Sequence, residues 1–116
     1  VLAKPYRLTS SEHFRRLHRE GRSWANSRFV LIAAENTQEH ARFGFSVSRR
    51  IGTAVVRNRI KRLLREVVFR HLSAIRPGND YLVIVRRTPS SLDYASTERA
   101  LLELFERSGI RQNTSG

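Results

Sequence analysis

Residues 42–71 read RFGFSVSRRIGTAVVRNRIKRLLREVVFRH, a strand, a short break and a long helix in one continuous stretch. In Arg42–Ser48 the apolar side chains alternate. Phe43, Phe45 and Val47 line one face, while Gly44, Ser46 and Ser48 leave the other flat enough to admit a helix or a ligand backbone closely. Gly52-Thr53 then opens a helix predicted from Ala54 to about His71, with Thr53 as N-cap because its hydroxyl can accept a free N–H of the first turn. At about 100° per residue, Val56, Ile60, Leu63, Leu64 and Val67 gather on one side of this helix. Arg57, Asn58, Lys61, Arg62 and Arg65 gather on the other. Arg59 falls outside that cationic arc, near Arg70 and Glu66, which can pair at i,i+4.

The charge pattern turns this helix into a functional signal. Between Arg49 and Arg65 lie seven of the 22 lysines and arginines, and no acid interrupts them. A solvated helix face normally intersperses both signs, so such a run repels itself unless a polyanion offsets it. Arginine outnumbers lysine here, which suits bidentate phosphate contacts and packing on bases. The free N–H groups after Gly52-Thr53 offer a further phosphate seat. Asn58 reads either as a plain surface residue or as a donor and acceptor for a base edge or ribose hydroxyl.

Working outward, Thr9-Ser10-Ser11-Glu12 has the form of a capping box for a first helix from Ser10 to about Glu20. Gly21 is expected to end it with positive φ, and Phe14, Leu17 and His18 form its narrow face. Arg28–Ala34 reads as a central strand, apolar on both faces, and Tyr81–Val85 as a buried strand after the turn Pro77-Gly78-Asn79-Asp80. Asp93 or Ser96 caps a last helix through Ser108, with Leu101, Leu104 and Phe105 inward and Gly109 at its end. Phe14 and Phe45 read as core on periodicity, Trp24 as a plug at the end of the sheet, and His13, His40 and His71 as surface residues. The expected fold is an α+β two-layer sandwich, a mixed sheet of about four strands with three helices in the order α-β-β-β-α-β-α. The general rule makes its strand–helix–strand crossover right-handed if the two strands are parallel neighbours. One domain spans 1–116, folded over about 8–109, with Ile110–Gly116 read as a disordered tail.

Composition narrows the function. A chain of 116 residues with 40% apolar content supports one core, and a formal charge of +12 favours an anionic partner. No apolar run approaches the roughly 20 residues of a spanning helix. The segment VLAKPYRLTS has no long apolar stretch, so no signal peptide and a cytoplasmic setting are expected. Without cysteine there is neither a disulfide framework nor a thiolate metal site. The ten acids are scattered, with Asp80 and Asp93 read as turn and cap residues and none assigned to a strand. The convergent carboxylates of two-metal phosphodiester hydrolysis are therefore missing. No catalytic residue and no metal ligand is expected in the protein.

The run FGFSVSRRIGTAVVRNRIKRLLRE resembles the signature of the bacterial ribonuclease P protein component, whose hallmark is the Arg57-Asn58-Arg59 element. The likeness extends to Phe14 in the first helix, the Gly21–Asn26 turn, the Phe29–Ile32 strand and the Tyr81–Arg87 strand. It implies a protein subunit of a ribonucleoprotein endonuclease whose catalytic RNA removes the 5′ leader from precursor tRNA and requires Mg2+. It also implies a left-handed crossover, as in the second domain of small-subunit ribosomal protein five. Positions for the RNA subunit fall on Arg49, Arg50, Arg57, Asn58, Arg59, Lys61, Arg62 and Arg65. Positions for the leader fall on Phe14, His18, Val30, Ile32 and Ser46, with Asn58, Lys61 and Arg65 near the rim. His18 stands where some relatives have a second phenyl ring and Ile32 where some have tyrosine, which weakens base stacking as the basis of leader binding here. The implied partners are the catalytic RNA and the precursor tRNA leader, with no membrane and no obligate protein partner. Two alternatives share the charge pattern. One is a ribosomal-type protein that stabilises ribosomal RNA. The other is a duplex DNA binder using residues 54–70, which has no helix-turn-helix partner at short spacing.

Overall fold

A computed structural model describes residues 4–8, 10–89 and 91–110. A 3-10 turn at Lys4–Tyr6 precedes α1 (Ser11–Glu20), β1 (Arg22–Ala25), β2 (Phe29–Glu35) and β3 (Arg42–Ser46). Then follow α2 (Ala54–His71), β4 (Asn79–Val85) and α3 (Tyr94–Ser108). The strands form one sheet in the order β1-β2-β4-β3, antiparallel except for the β3–β4 pair. The predicted α+β class and element order hold. The crossover joins β3 to β4 as parallel neighbours, with α2 between them.

Central strands β2 and β4 bury both faces, so each alternates between two cores. Phe29 and Leu31 of β2 and Tyr81, Val83 and Val85 of β4 meet Ile60, Leu64, Val67 and Val68 of α2. Leu101, Leu104 and Phe105 of α3 complete that larger core. The intervening residues Ile32 and Leu82 turn to the opposite face, under Leu8 and Leu17, with Phe14, Val30 and Ile84 at the margin. Helix α1 therefore covers one side of the sheet alone. The flat face of β3 receives it: a Cβ at Gly44 would lie 2.5 Å from Cε1 of Phe14.

Helix boundaries follow the sequence closely at α2 and α3. Thr53 caps α2 by accepting from the Val56 N–H at 3.3 Å, and Asp93 caps α3 by accepting from the Ser96 N–H at 3.1 Å. Gly109 ends α3 with φ 74°. Other expectations change. Ser10 caps α1, its hydroxyl accepting from the Glu12 N–H at 3.1 Å, and Glu12 pairs with Arg15 instead of closing a box. Thr9 lies outside the described residues. Gly21 is extended (φ −78°), and the reason for glycine is space: a Cβ there would meet Ile32 Cγ2 at 2.4 Å and the Leu17 carbonyl at 2.5 Å. The supposed Gly21–Asn26 turn contains β1, paired with β2, and Trp24 on it packs against the larger core with the Arg22 guanidinium 5.4 Å from its ring. Ile110, assigned to the tail, is 5% exposed, and its carbonyl accepts from the Arg76 N–H at 2.7 Å. The rest of that segment, residues 111–116, lies outside the described residues.

One strand does carry a buried acid. Asp80 of β4 is fully buried and accepts hydrogen bonds from Arg16, Asn36 and twice from Arg42, at 2.7–2.9 Å. Burial alone would raise its pKa. The donors from Arg42, Asn36 and Arg16 outweigh that penalty and hold the carboxyl below the usual carboxylate range. Asp80 thus ties α1, the β2–β3 loop and β3 to β4. The histidines are also more engaged than expected. His71 Nε2 lies 2.8 Å from Glu98 Oε2, His40 Nε2 lies 2.8 Å from the Pro5 carbonyl, and His13 Nδ1 is buried.

Candidate nucleic-acid interface

The larger core decides which way α2 faces. Ile60, Leu64, Val67 and Val68 are at most 3% exposed, and their burial fixes the opposite face toward solvent. Leu63, placed by the helical wheel in the core stripe, is only half-buried, and Val68 takes the deeper position instead. Asn58, Arg59 and Arg62 are exposed, while Arg57, Lys61 and Arg65 are half-buried along the flank. Among the described residues none of these cations pairs with a carboxylate. Arginines that do meet a carboxylate include Arg15, Arg16, Arg42, Arg70 and Arg107. Arg70 meets Glu66 at 2.7 Å, which leaves the one acid of α2 engaged away from the Arg57-Asn58-Arg59 element.

The start of α2 is braced. Arg57 donates through Nε to the Gly52 carbonyl at 3.2 Å. Arg49 and Arg50 occupy a 3-10 turn anchored by Ile51, which is 2% exposed and whose carbonyl accepts from the Thr88 hydroxyl. Arg50 reaches the Arg86 carbonyl at 3.4 Å. The guanidinium groups near this end therefore stand on a fixed base.

Two concavities flank the cationic face. One, of about 570 Å³, runs along α2 and is lined by Val55, Asn58, Arg59, Arg62, Leu63 and Glu66. Val55 is 77% exposed, so this groove mixes an uncovered apolar side chain with arginines. The other, about 250 Å³, is lined by Arg7, Leu8, Phe14, Phe43, Phe45, Lys61 and Arg65. It joins α1, the β3 edge and α2, and its lining holds three cations, three phenyl rings and no acid. Arg65 Nε is buried there without a hydrogen-bond partner among the described residues. A larger groove of about 730 Å³ at the other end of β4 sets Glu20 and Glu35 among Arg16, Arg22 and Arg76, a balanced lining with little net pull on an anion.

The residues proposed for the leader do not all converge. Phe14, Lys61 and Arg65 meet in the smaller cleft. Val30 and Ser46 lie in one cross-strand row through Ile84, half-buried on the α1 side of the sheet. His18 is exposed on α1, one turn beyond Phe14. Ile32, in the next row, is 6% exposed beneath α1 and offers no surface to a ligand. Asn58 lines the α2 groove and not the cleft. Arg7, Leu8 and Phe45 line the cleft without having been assigned to it. Phe45 packs half-buried against the larger core, as its periodicity suggests, and lines the cleft as well because β3 is an edge strand, while Arg7-Leu8 lie between the first 3-10 turn and α1, where no periodicity places them.

Chemically, the surface can neutralise phosphates and hold bases or riboses. Among the described residues no group of three or more histidines, aspartates or glutamates could hold a metal ion, and no helix is long and apolar enough to cross a membrane.

Comparison with known proteins agrees with the sequence signature. Residues 2–109 match the family Ribonuclease P. The ribonuclease P protein component of Bacillus pumilus (strain SAFR-032) is 38% identical over 112 residues, covering 96% of this chain and 94% of the relative. The 2.0 Å structure of the Staphylococcus aureus RNase P protein superposes with a TM-score of 0.85 at 32% identity, covering 92% of this chain and 98% of that one. The Thermotoga maritima RNase P protein superposes with a TM-score of 0.77 at 32% identity, covering 87% and 96%. These matches favour the ribonuclease P reading over the ribosomal and DNA-binding alternatives, and the chain belongs to the ribonuclease P protein component family.

Proposed function

We propose that the protein contributes binding energy to an RNA-catalysed reaction. The cationic face of α2, with Arg49 and Arg50, docks on the catalytic RNA. The cleft holding Phe14, Lys61 and Arg65 takes the single-stranded 5′ leader of precursor tRNA. The observation that carries this reading is the set of α2 cations from Arg57 to Arg65 without acidic partners among the described residues, next to a cleft whose described lining is rings and positive charge with no acid. Such groups gain most when a polyanion releases its counterions on binding. Cleavage is assigned to the RNA, with the tRNA 5′ end as product and the cytoplasm as its setting. The Mg2+ required by the holoenzyme is assigned to the RNA. Phosphate neutralisation by the protein lowers the Mg2+ concentration needed to bring substrate and ribozyme together.

Precursor and mature tRNA differ by the leader. Leader contacts therefore raise affinity for precursor alone, with a log–log salt slope of about −0.7 for each neutralised phosphate. Binding of both RNAs to the reconstituted holoenzyme across several salt concentrations tests this. Equal affinities would refute leader recognition. Adding the chain to catalytic RNA at low magnesium tests the cofactor role, with restored precursor cleavage as the expected result.

A further inference from the structure

Before α1 the chain does not hang free at the sheet. Leu8 donates its N–H to the Phe43 carbonyl at 2.7 Å, and Arg7 forms a parallel bridge with Phe43, so this segment adds one rung to the open edge of β3. Upstream, Tyr6 packs edge-on to the His40 ring at a centroid distance of 5.2 Å, and His40 Nε2 meets the Pro5 carbonyl at 2.8 Å. Leu8 is 5% exposed under the α1 layer. Residues on both sides of Arg7 are thus held, and Arg7 itself is exposed, lines the cleft with Lys61 and Arg65, and has no ion pair among the described residues.

Resting on the leader-cleft reading above, we propose that the Lys4–Leu8 segment is a strap that sets Arg7 and Leu8 as the outer wall of the leader cleft. In it Arg7 is a third phosphate-binding cation beside Lys61 and Arg65, and His40 positions the strap. Two observations support this. The bridge to β3 puts Arg7 at the one strand edge the sheet leaves open on this side. Among the described residues the cleft is lined by no acid to engage it. His40 acts only through Pro5 and Tyr6, so it is a positioning residue.

The test uses holoenzyme reconstituted with the catalytic RNA, reading the affinities of precursor and mature tRNA at several salt concentrations. Variants are Arg7→Ala, Arg7→Gln, Arg7→Lys, Lys61→Ala, His40→Ala and the double variant Arg7→Ala with His40→Ala. The expected result for either neutral substitution of Arg7 is about tenfold weaker precursor binding, as for loss of one charge-assisted contact. The salt slope becomes shallower by about 0.7, mature tRNA binding is unchanged, and Arg7→Lys recovers most of the loss. His40→Ala weakens precursor binding in the wild-type background and adds nothing once Arg7 is gone, which a general packing role would not produce. If Lys61→Ala weakens precursor binding while both neutral Arg7 variants bind it normally, the strap proposal falls and the cleft reading stands. If neither position affects precursor selectively, both fall. Equal effects of His40→Ala with and without Arg7 overturn the positioning role.

Discussion

Arg16 and Arg42 share a side chain with the arginines of α2 and do the opposite job. The first two converge on one buried carboxylate, Asp80, through donors at 2.8–2.9 Å, and bind helix, strand and loop into a unit. Those of α2 from Arg57 to Arg65 stand on a helix fixed by its buried side and meet no carboxylate among the described residues. A guanidinium with its acid inside the molecule serves the fold, and one without looks outward for its anion. Charge count alone does not separate the two groups; the location of the few acids does.

That contrast breaks most visibly at Asp80. Replacing it with alanine strips Arg42 of its carboxylate and leaves Arg16 only Glu20 at 3.6 Å, and should cost about 3–5 kcal/mol, read as a lower urea midpoint. A melt like that of the wild type would mean the network is incidental. Leu64→Ala, at the centre of the buried stripe, is expected to lose about 2–5 kcal/mol, whereas Leu63→Ala should lose clearly less because that side chain is only half-buried.

Acid sharpens the comparison further. Because the folded pKa of Asp80 is depressed, its contribution is full above the unfolded carboxylate value and declines as pH falls through the folded one. Chemical denaturation from neutral to acidic pH should show that loss, and Asp80→Asn should flatten it. The smallest effect on stability belongs to Arg59→Ala and Arg62→Ala. Both are exposed and make no ion pair among the described residues, so unfolding should shift by no more than about 0.5 kcal/mol, while affinity for the catalytic RNA drops in a salt-dependent way. Marked destabilisation by either would place those side chains on the wrong side of the contrast.

Helix α2 was legible because one 18-residue element carries its whole message in local periodicity, from the Thr53 cap to the cationic and apolar stripes. Its inner face was read one position off at Leu63, since a wheel gives direction and not the depth of the neighbouring layer. Strand β1 has its place in the expected element order but no residues assigned to it, because RSWA is short, holds no alternation beyond Trp24 and reads as part of a turn. The Asp80 network was invisible for a different reason. Its members at positions 16, 36, 42 and 80 are far apart in sequence, and only strand register brings them together. The cleft was half legible on the same grounds. Lys61 and Arg65 share a helix face, but Arg7 reaches them only through its bridge to an edge strand.

The two sides of the sheet are shielded unequally. Two long helices armour one side, whereas ten residues of α1 cover the other with Leu17 as that helix's sole fully sunk side chain. Breathing of this molecule should therefore begin by α1 lifting away, with its amides exchanging hydrogen for deuterium well before those of α2. The ring of Phe14 would travel with it, so the width of the opening beneath becomes a fluctuating quantity that an incoming strand can narrow by settling in.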